Sequence, residues 1–279
     1  MLHKIKDVKR NEVIIIDWLI QLFNLNMVKP ELYGWFHITS LLLTILLIVI
    51  LLQFQTIEKN IRCIVGITSI IVIILEIYKQ LYYSINTSPT ITFDYPWNIF
   101  PWQFCSTPMY IGILAAIIKN KNMHYRLCCY LCTYALMAGI CVMLYPSSVF
   151  TENVIMNIQT MVNHGTMISI GIYLLVSDYV KCEKHTLLEA SKVFIVCFLI
   201  AMVLNEIAYY SGIVNKDPFN MFYISPYVKG NLPVFGAIQA IVPYPISLII
   251  YVLGFTVGSG IILWLVKRKD DINEYFSSR

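Results

Sequence analysis

Residues 61–84 read Ile-Arg-Cys-Ile-Val-Gly-Ile-Thr-Ser-Ile-Ile-Val-Ile-Ile-Leu-Glu-Ile-Tyr-Lys-Gln-Leu-Tyr-Tyr-Ser. No charge interrupts the run from Cys63 to Leu75. A helix of about 20 such residues crosses the hydrocarbon of a bilayer. The stretch therefore predicts a membrane span, and its first charged residues after the apolar run, Glu76 and Lys79, fall one turn apart near its end.

Six further stretches have the same character: 36–56, 103–119, 125–146, 157–178, 189–211 and 239–266. Together they predict an all-α polytopic membrane protein, a bundle of seven transmembrane helices. The third is irregular at its start, where Pro96, Pro101 and Pro108 restrict the backbone. An alternative reading lets 97–119 enter as a short re-entrant turn. Composition agrees: the 279 residues are 58% hydrophobic and 13% charged, and the net charge of +4 lies in loops. That balance excludes a soluble domain of this size and gives no nucleic-acid footprint.

Residues 12–28 mix Asp17, Gln21 and Asn24 with Ile14, Ile15, Ile16, Leu19, Ile20, Leu22 and Phe23. This suits an amphipathic helix lying in the interface, with an eighth span as the alternative. The organisation expected is a charged N-terminus with its interfacial helix over 1–32, a transmembrane domain over 33–266 and a basic tail over 267–279. The first residues are charged and no small-residue cleavage site follows, so the first spans are expected to act as uncleaved insertion signals.

Loop charges set the orientation. Lys59 and Arg62, then Lys119, Lys121 and Arg126, then Lys181, Lys184 and Lys192, follow spans one, three and five, and Lys267, Arg268 and Lys269 follow the last. The opposite loops hold Lys216 and Lys229. The positive-inside rule puts the C-terminus in the cytoplasm, and a cell-membrane location is expected. Lys4, Lys6, Lys9 and Arg10 vote the other way unless 12–28 crosses.

In a seven-span serpentine, odd spans begin and even spans end on the extracytoplasmic side. The polar residues fall there: His37; Glu76 and Lys79; Gln103 and Cys105; Gln159, Asn163 and His164; Asn205, Glu206, Tyr209 and Tyr210; Gln239. Polar groups at membrane depth are costly, so their convergence reads as a site, although residues near span ends also snorkel to water. His164 would lie roughly 10 Å below the boundary. A thiol beside an imidazole forms a competent nucleophile, and an Asn, Gln or carboxylate orients the imidazole or stabilises an oxyanion. Metal-ligand spacings such as HxxxH or paired CxxC are missing, as are phosphate-loop and dinucleotide fingerprints. The eight cysteines show no disulfide framework. Cys128, Cys129 and Cys132 open a span, where packing is the plainer reading and a soft-metal site or lipidation the alternative.

Phe100-Pro101-Trp102-Gln103-Phe104-Cys105-Ser106 resembles the Leu-Pro-Leu-His-Leu-Cys signature of the YwaF-like integral membrane proteins, relatives of the eukaryotic transmembrane protein 164 acyltransferases. Tyr33-Gly34-Trp35-Phe36-His37 resembles their early Ser-x-x-His, and Val162-Asn163-His164-Gly165 their Ala-His-Gly. Asn220-Met221-Phe222 with Pro226 resembles their loop after span six, and Pro243-Tyr244-Pro245 their proline-rich entry to the last span. The likeness runs from about residue 33 to 266.

The resemblance implies a phospholipid acyltransferase or acyl-ester hydrolase with Cys105 as nucleophile and His164 as its partner. Gln103 and Asn163 would serve as oxyanion or orienting groups, and His37 would give support. A membrane phospholipid is the implied acyl donor, with a lysolipid or water as acceptor, and no cofactor is required. One departure stands out: Gln103 occupies the place of the family's His, and an amide donates a hydrogen bond without shuttling a proton. The rival expectation is a non-enzymatic lipid- or solute-binding protein or transporter whose polar site is built by Glu76, Lys79, Asn205 and Glu206.

Overall fold

The computed structural model describes residues 25–86, 91–230, 232 and 234–277, with side chains of the last helix as far as Arg268. The interfacial helix expected over 12–28 lies almost wholly outside the described residues. At its end, residues 25–27 run antiparallel to 152–154, with the Met27 amide donating to the Glu152 carbonyl at 2.7 Å and Val154 to Leu25 at 2.9 Å.

The protein is an all-α polytopic membrane protein. Its principal helices are α1 (Trp35–Leu51), α2 (Glu58–Ser84), α3 (Thr107–Ile117), α4 (Lys121–Leu144), α5 (Val154–Val176), α6 (Lys184–Tyr210), α7 (Phe235–Ile241) and α8 (Tyr244–Ser277). Four stretches, α2, α4, α6 and Tyr244–Arg268 of α8, are long and apolar enough to cross a membrane. α1 and α3 are apolar but shorter. α5 has 23 residues, which at about 1.5 Å each is a full crossing. It carries Asn157, Gln159, Thr160, Asn163, His164 and Ser169 on its buried surface, so other helices surround it instead of lipid.

Caps and prolines set the boundaries. Asn120 and Asn153 precede α4 and α5, their side chains accepting from the amides of Met123 and Met156 at 3.0 Å. Pro108 sits in the first turn of α3, where its missing N–H costs nothing. α1 stops at Leu51, short of the expected 56, because Gln53, Gln55 and Thr56 take the chain out through a turn. The third span shrinks from 103–119 to the eleven residues of α3, since 97–106 is spent on a 3-10 turn (Trp97–Ile99) and irregular backbone. The expected last span, 239–266, is two helices: Val242 is extended (φ −119°, ψ 154°) before Pro243, which breaks the ladder. α8 then stays helical through the segment 267–277 read as a tail. A two-strand hairpin, Ile85–Asn86 with Thr92–Phe93, follows α2.

α4 and α5 form the centre. α5 packs on α1, α2 and α4, and α4 packs on α3, α5 and α6 and, through its middle, on α8. Of the apolar stretch of α4, 72% is buried, against 22% for α8. The two central helices approach closely through glycines: a Cβ on Gly139 would stand 2.9 Å from the His164 carbonyl, and one on Gly171 2.7 Å from Leu136 Cβ. In the same region α4 widens into a π turn over Leu131–Ala135, where the Thr133 hydroxyl donates to the Cys129 carbonyl at 2.6 Å. The aromatic core lies beside it: Tyr134 stacks on Phe194 at 4.4 Å and Phe104 meets Phe255 at 4.8 Å.

At one end of the bundle Arg62 donates to the carbonyls of Ala115, Ala116 and Ile118, and His124 Nδ1 adds a second bond to Ala115 at 2.7 Å. These are the carbonyls that the end of α3 leaves unpaired, where cations are favoured. Arg126 and Lys192 pair with Glu189 at the same end.

Candidate active site

The residues singled out in the sequence lie at the opposite end. Cys105 sits in the irregular lead into α3, two residues before Thr107. Four contacts fix that lead. The Trp97 amide donates to Asp217 Oδ2 at 3.0 Å, and the Trp102 indole to the Cys197 carbonyl at 3.2 Å. Phe104 is buried between Phe222 and Phe255. The Asn163 amide donates to the carbonyl of Cys105 itself at 3.1 Å. The residue next to His164 thus holds the main chain of the candidate nucleophile.

His164 is 4% exposed. Its Nδ1 lies 2.8 Å from the Thr160 carbonyl, one turn back on α5. A carbonyl only accepts, so Nδ1 carries the proton and Nε2 is left with a lone pair. That Nε2 is buried and has no hydrogen-bond partner among the described residues. Buried polar atoms are rarely left so. His37 makes the contrast: Nδ1 accepts from the Tyr33 amide at 3.0 Å and Nε2 donates to the Met143 carbonyl at 2.8 Å. Both its nitrogens are spent, Nδ1 on the lead into α1 and Nε2 on joining α1 to the end of α4. The thiol of Cys105 and Nε2 of His164 are not hydrogen-bonded to each other, since Nε2 has no partner among the described residues.

A polar network flanks this centre. Glu76, 5% exposed, accepts from Lys79 at 2.7 Å, Gln80 at 2.6 Å and Gln159 at 3.1 Å. Gln80 also donates to the Ile99 carbonyl and accepts from Tyr95. Gln159 Oε1 accepts from the Thr160 hydroxyl at 3.4 Å, one step from the carbonyl that holds His164.

Opposite lies a loop, 218–225, buried from Phe219 onward except for the half-buried Tyr223, with one distorted 3-10 turn at Met221–Tyr223. Unpaired backbone polar groups at membrane depth are prohibitive unless protein satisfies them. Here side chains do so. Gln103 donates to the Asn220 carbonyl and accepts from the Phe222 amide, both at 3.0 Å. Asn205 brackets Met221, accepting from its amide at 2.8 Å and donating to its carbonyl at 3.1 Å. Asn220 accepts from the Ser225 amide, Gln239 donates to the Tyr223 carbonyl and Tyr244 to the Ile224 carbonyl. Phe222 and Tyr223 both adopt a left-handed φ of 58°, uncommon for bulky residues. Beyond the loop, Tyr227 donates to Glu206 at 2.7 Å, and that bond pushes the Tyr227 phenol up to about 12.

The structure therefore sorts the sequence candidates. Cys105, Asn163 and His164 share one locality. Gln103 spends both ends of its amide on the loop. Glu76 and Lys79 belong to the network around Gln159, and Asn205 and Glu206 to the loop, so the four residues of the rival solute site fall into two separate hydrogen-bonded groups. Gln80, Tyr95 and Asn220 were not singled out for a role. Gln80 had a signal, one turn beyond Glu76 on the same helix face; Tyr95 had none. Cys63, Cys105, Cys128, Cys129, Cys132, Cys141 and Cys197 are unbridged among the described residues, Cys128, Cys129 and Cys132 are fully buried, and no group of metal-ligating residues exists among the described residues.

Fold and polar centre together define a multi-pass α-helical membrane protein with a buried histidine and a cysteine at one end of the bundle. The chain belongs to the TMEM164 family, whose sequence profile matches residues 32–266. No curated protein and no solved structure matches it.

Proposed function

We propose that the chain is an integral membrane acyl-transfer enzyme that moves a fatty acyl group from a phospholipid ester through Cys105. The observation that carries this reading is the buried Nε2 of His164, without a hydrogen-bond partner among the described residues and with its tautomer set by Thr160, beside an Asn163 that grips the Cys105 main chain. A deprotonated ring nitrogen held in a dry site is the form a general base needs.

In the proposed reaction His164 Nε2 takes the Cys105 proton as sulfur attacks the ester carbonyl. The tetrahedral oxyanion collapses to a thioester, and the lysolipid oxygen leaves with the proton from His164. An acceptor hydroxyl then gives its proton to Nε2, attacks the thioester and returns the thiol. The sulfur and Nε2 must first meet, and catalytic hydrogen bonds often close only in the substrate complex. Cys105 lies just before the start of α3, where the helix dipole favours developing negative charge. An apolar groove of about 300 Å³ between α1 and α5, lined by Trp35, Leu43, Leu47, Met161 and Val162, offers hydrocarbon a place on the lipid-facing side. By the loop charges this end is extracytoplasmic, in a cell membrane.

The test is labelling of the intact protein with an acyl ester probe, followed by adduct mapping. Thioester is expected on Cys105, absent in Cys105→Ala and reduced at least about a hundredfold in His164→Ala, the scale of a lost general base. Unchanged transfer in Cys105→Ala would overturn the assignment.

A further inference from the structure

A cleft of about 210 Å³ opens between the Trp97–Ile99 turn and the loop carrying residues 218–229. Its described lining includes Asn98, Gln103, Asn220, Tyr223 and Lys229, and Lys229 is the one charged side chain among them. The neighbouring carboxylates are engaged elsewhere. Asp217 accepts from the Trp97 amide, Asp94 pairs with Lys216, and Glu206 accepts from Tyr227. No ion pair involves Lys229 among the described residues. A second polar cleft, about 370 Å³, shares Val228 and Lys229, so the lysine stands on the partition between two openings.

The walls are fixed. Gln103 and Asn220 have their amides tied to main chain, and Tyr223 is held in a left-handed backbone with its carbonyl bonded to Gln239. Backbone of this kind is strained and persists where the surroundings over-determine it, often at ligand clamps. Five side chains hold this loop: Gln103, Asn205, Asn220, Gln239 and Tyr244. A rigid polar cleft with one cation, amide and phenol donors and no carboxylate selects an anion rich in acceptors.

We propose that this cleft binds a phosphate ester anion, with Lys229 as its cation and Asn98 and Tyr223 as hydrogen-bond donors. The anion could be lipid-borne or a soluble phosphate ester; the lipid-borne source rests on the acyl-transfer reading. Gln103 in the floor is two residues from Cys105, within about 7 Å along the chain. A phospholipid with its phosphate here would hang its ester toward the thiol.

The experiment uses the full chain, delipidated in detergent and recharged with phosphatidylglycerol, with retention read by native mass spectrometry. Diacylglycerol serves as the phosphate-free probe. Lys229→Ala is expected to lower phosphatidylglycerol retention about tenfold or more and to leave diacylglycerol retention alone, while Lys229→Arg stays within about threefold of wild type; one charge-assisted bond is of that size. Glycerol phosphate in competition separates the sources: displacement supports a soluble ester, and its failure a lipid-borne phosphate. Equal phosphatidylglycerol retention in wild type, Lys229→Ala and the Asn98→Ala/Tyr223→Phe double variant would overturn the proposal. Because Lys229 is exposed, its variants are expected to fold. Labelling of wild-type Cys105 by a phosphate-free ester tests the acyl-transfer reading separately. Its failure with Lys229-dependent retention intact would remove the enzyme and keep the site.

Discussion

The two histidines at the polar end show how partner counting separates structure from chemistry. His37 has both nitrogens bonded to main chain, and His164 has one. Their sequence settings are alike, each a lone imidazole in an apolar stretch, so only coordinates distinguish a clamp from a candidate base. Gln103 teaches the same lesson. An amide can donate and accept at once, which is what the Asn220 carbonyl and Phe222 amide require of it. Replacing it by Leu orphans both buried groups at about 1–3 kcal/mol each. Gln103→Leu is therefore expected to lower the thermal unfolding midpoint in detergent markedly. Gln103→Glu keeps the acceptor for Phe222 but turns a carboxylate toward a carbonyl, so it too is expected to destabilise. A midpoint unchanged in Gln103→Leu would show that the clamp contributes nothing.

At the scale of elements, hydropathy located the four stretches that are long and apolar enough to cross, because a bilayer demands long apolar runs. What hydropathy could not supply was the irregular backbone between them. Neither reading of 97–119 describes the lead into α3: the segment runs from the end that holds Cys105 to the end where Arg62 meets the last carbonyls of α3, yet Pro101 and Pro108 bracket a stretch whose hydrogen bonds go to other elements. The loop 218–225 was visible only as a motif, Asn220-Met221-Phe222, with nothing in its composition to mark it as buried. Its partners Asn205 and Gln239 were read in the sequence as residues near span ends, where snorkelling is the ordinary explanation. The Gln80–Glu76–Gln159 bridge joins residues far apart in the chain, and periodicity within one helix carries no information about it. The α4–α5 contact is checkable in isolation. Gly171→Leu forces a side chain into Leu136 and the Leu131 carbonyl, and overpacking of this kind costs roughly 1–3 kcal/mol or more. The expected result is a lower unfolding midpoint, whereas Gly260→Ala, whose Cβ would meet Leu187 at an ordinary 3.4 Å, is expected to change it little.

For the whole molecule, the two ends differ in kind. One is closed by cations, with Arg62 on the end of α3 and Arg126 and Lys192 on Glu189. The other gathers amides, two imidazoles and a thiol. Loop charge predicts which faces the cytoplasm: a cysteine placed at Lys229 is expected to react with an impermeant maleimide in intact cells, and one at Lys121 only after permeabilisation. The reverse pattern would invert the topology. The π turn of α4 has a consequence for how the two ends stay in register. Such a turn amounts to one surplus residue inside an otherwise regular rod, and each residue of an α-helix accounts for about 100° of rotation. Excising a single residue from 131–135 would let the rod rewind to ordinary pitch and swing everything beyond it, Gly139 and the Met143 carbonyl included, about a quarter-turn from where α5 and His37 await them. The surplus residue is thus a phase setting, and losing it would mistime the polar half of the protein against the apolar half.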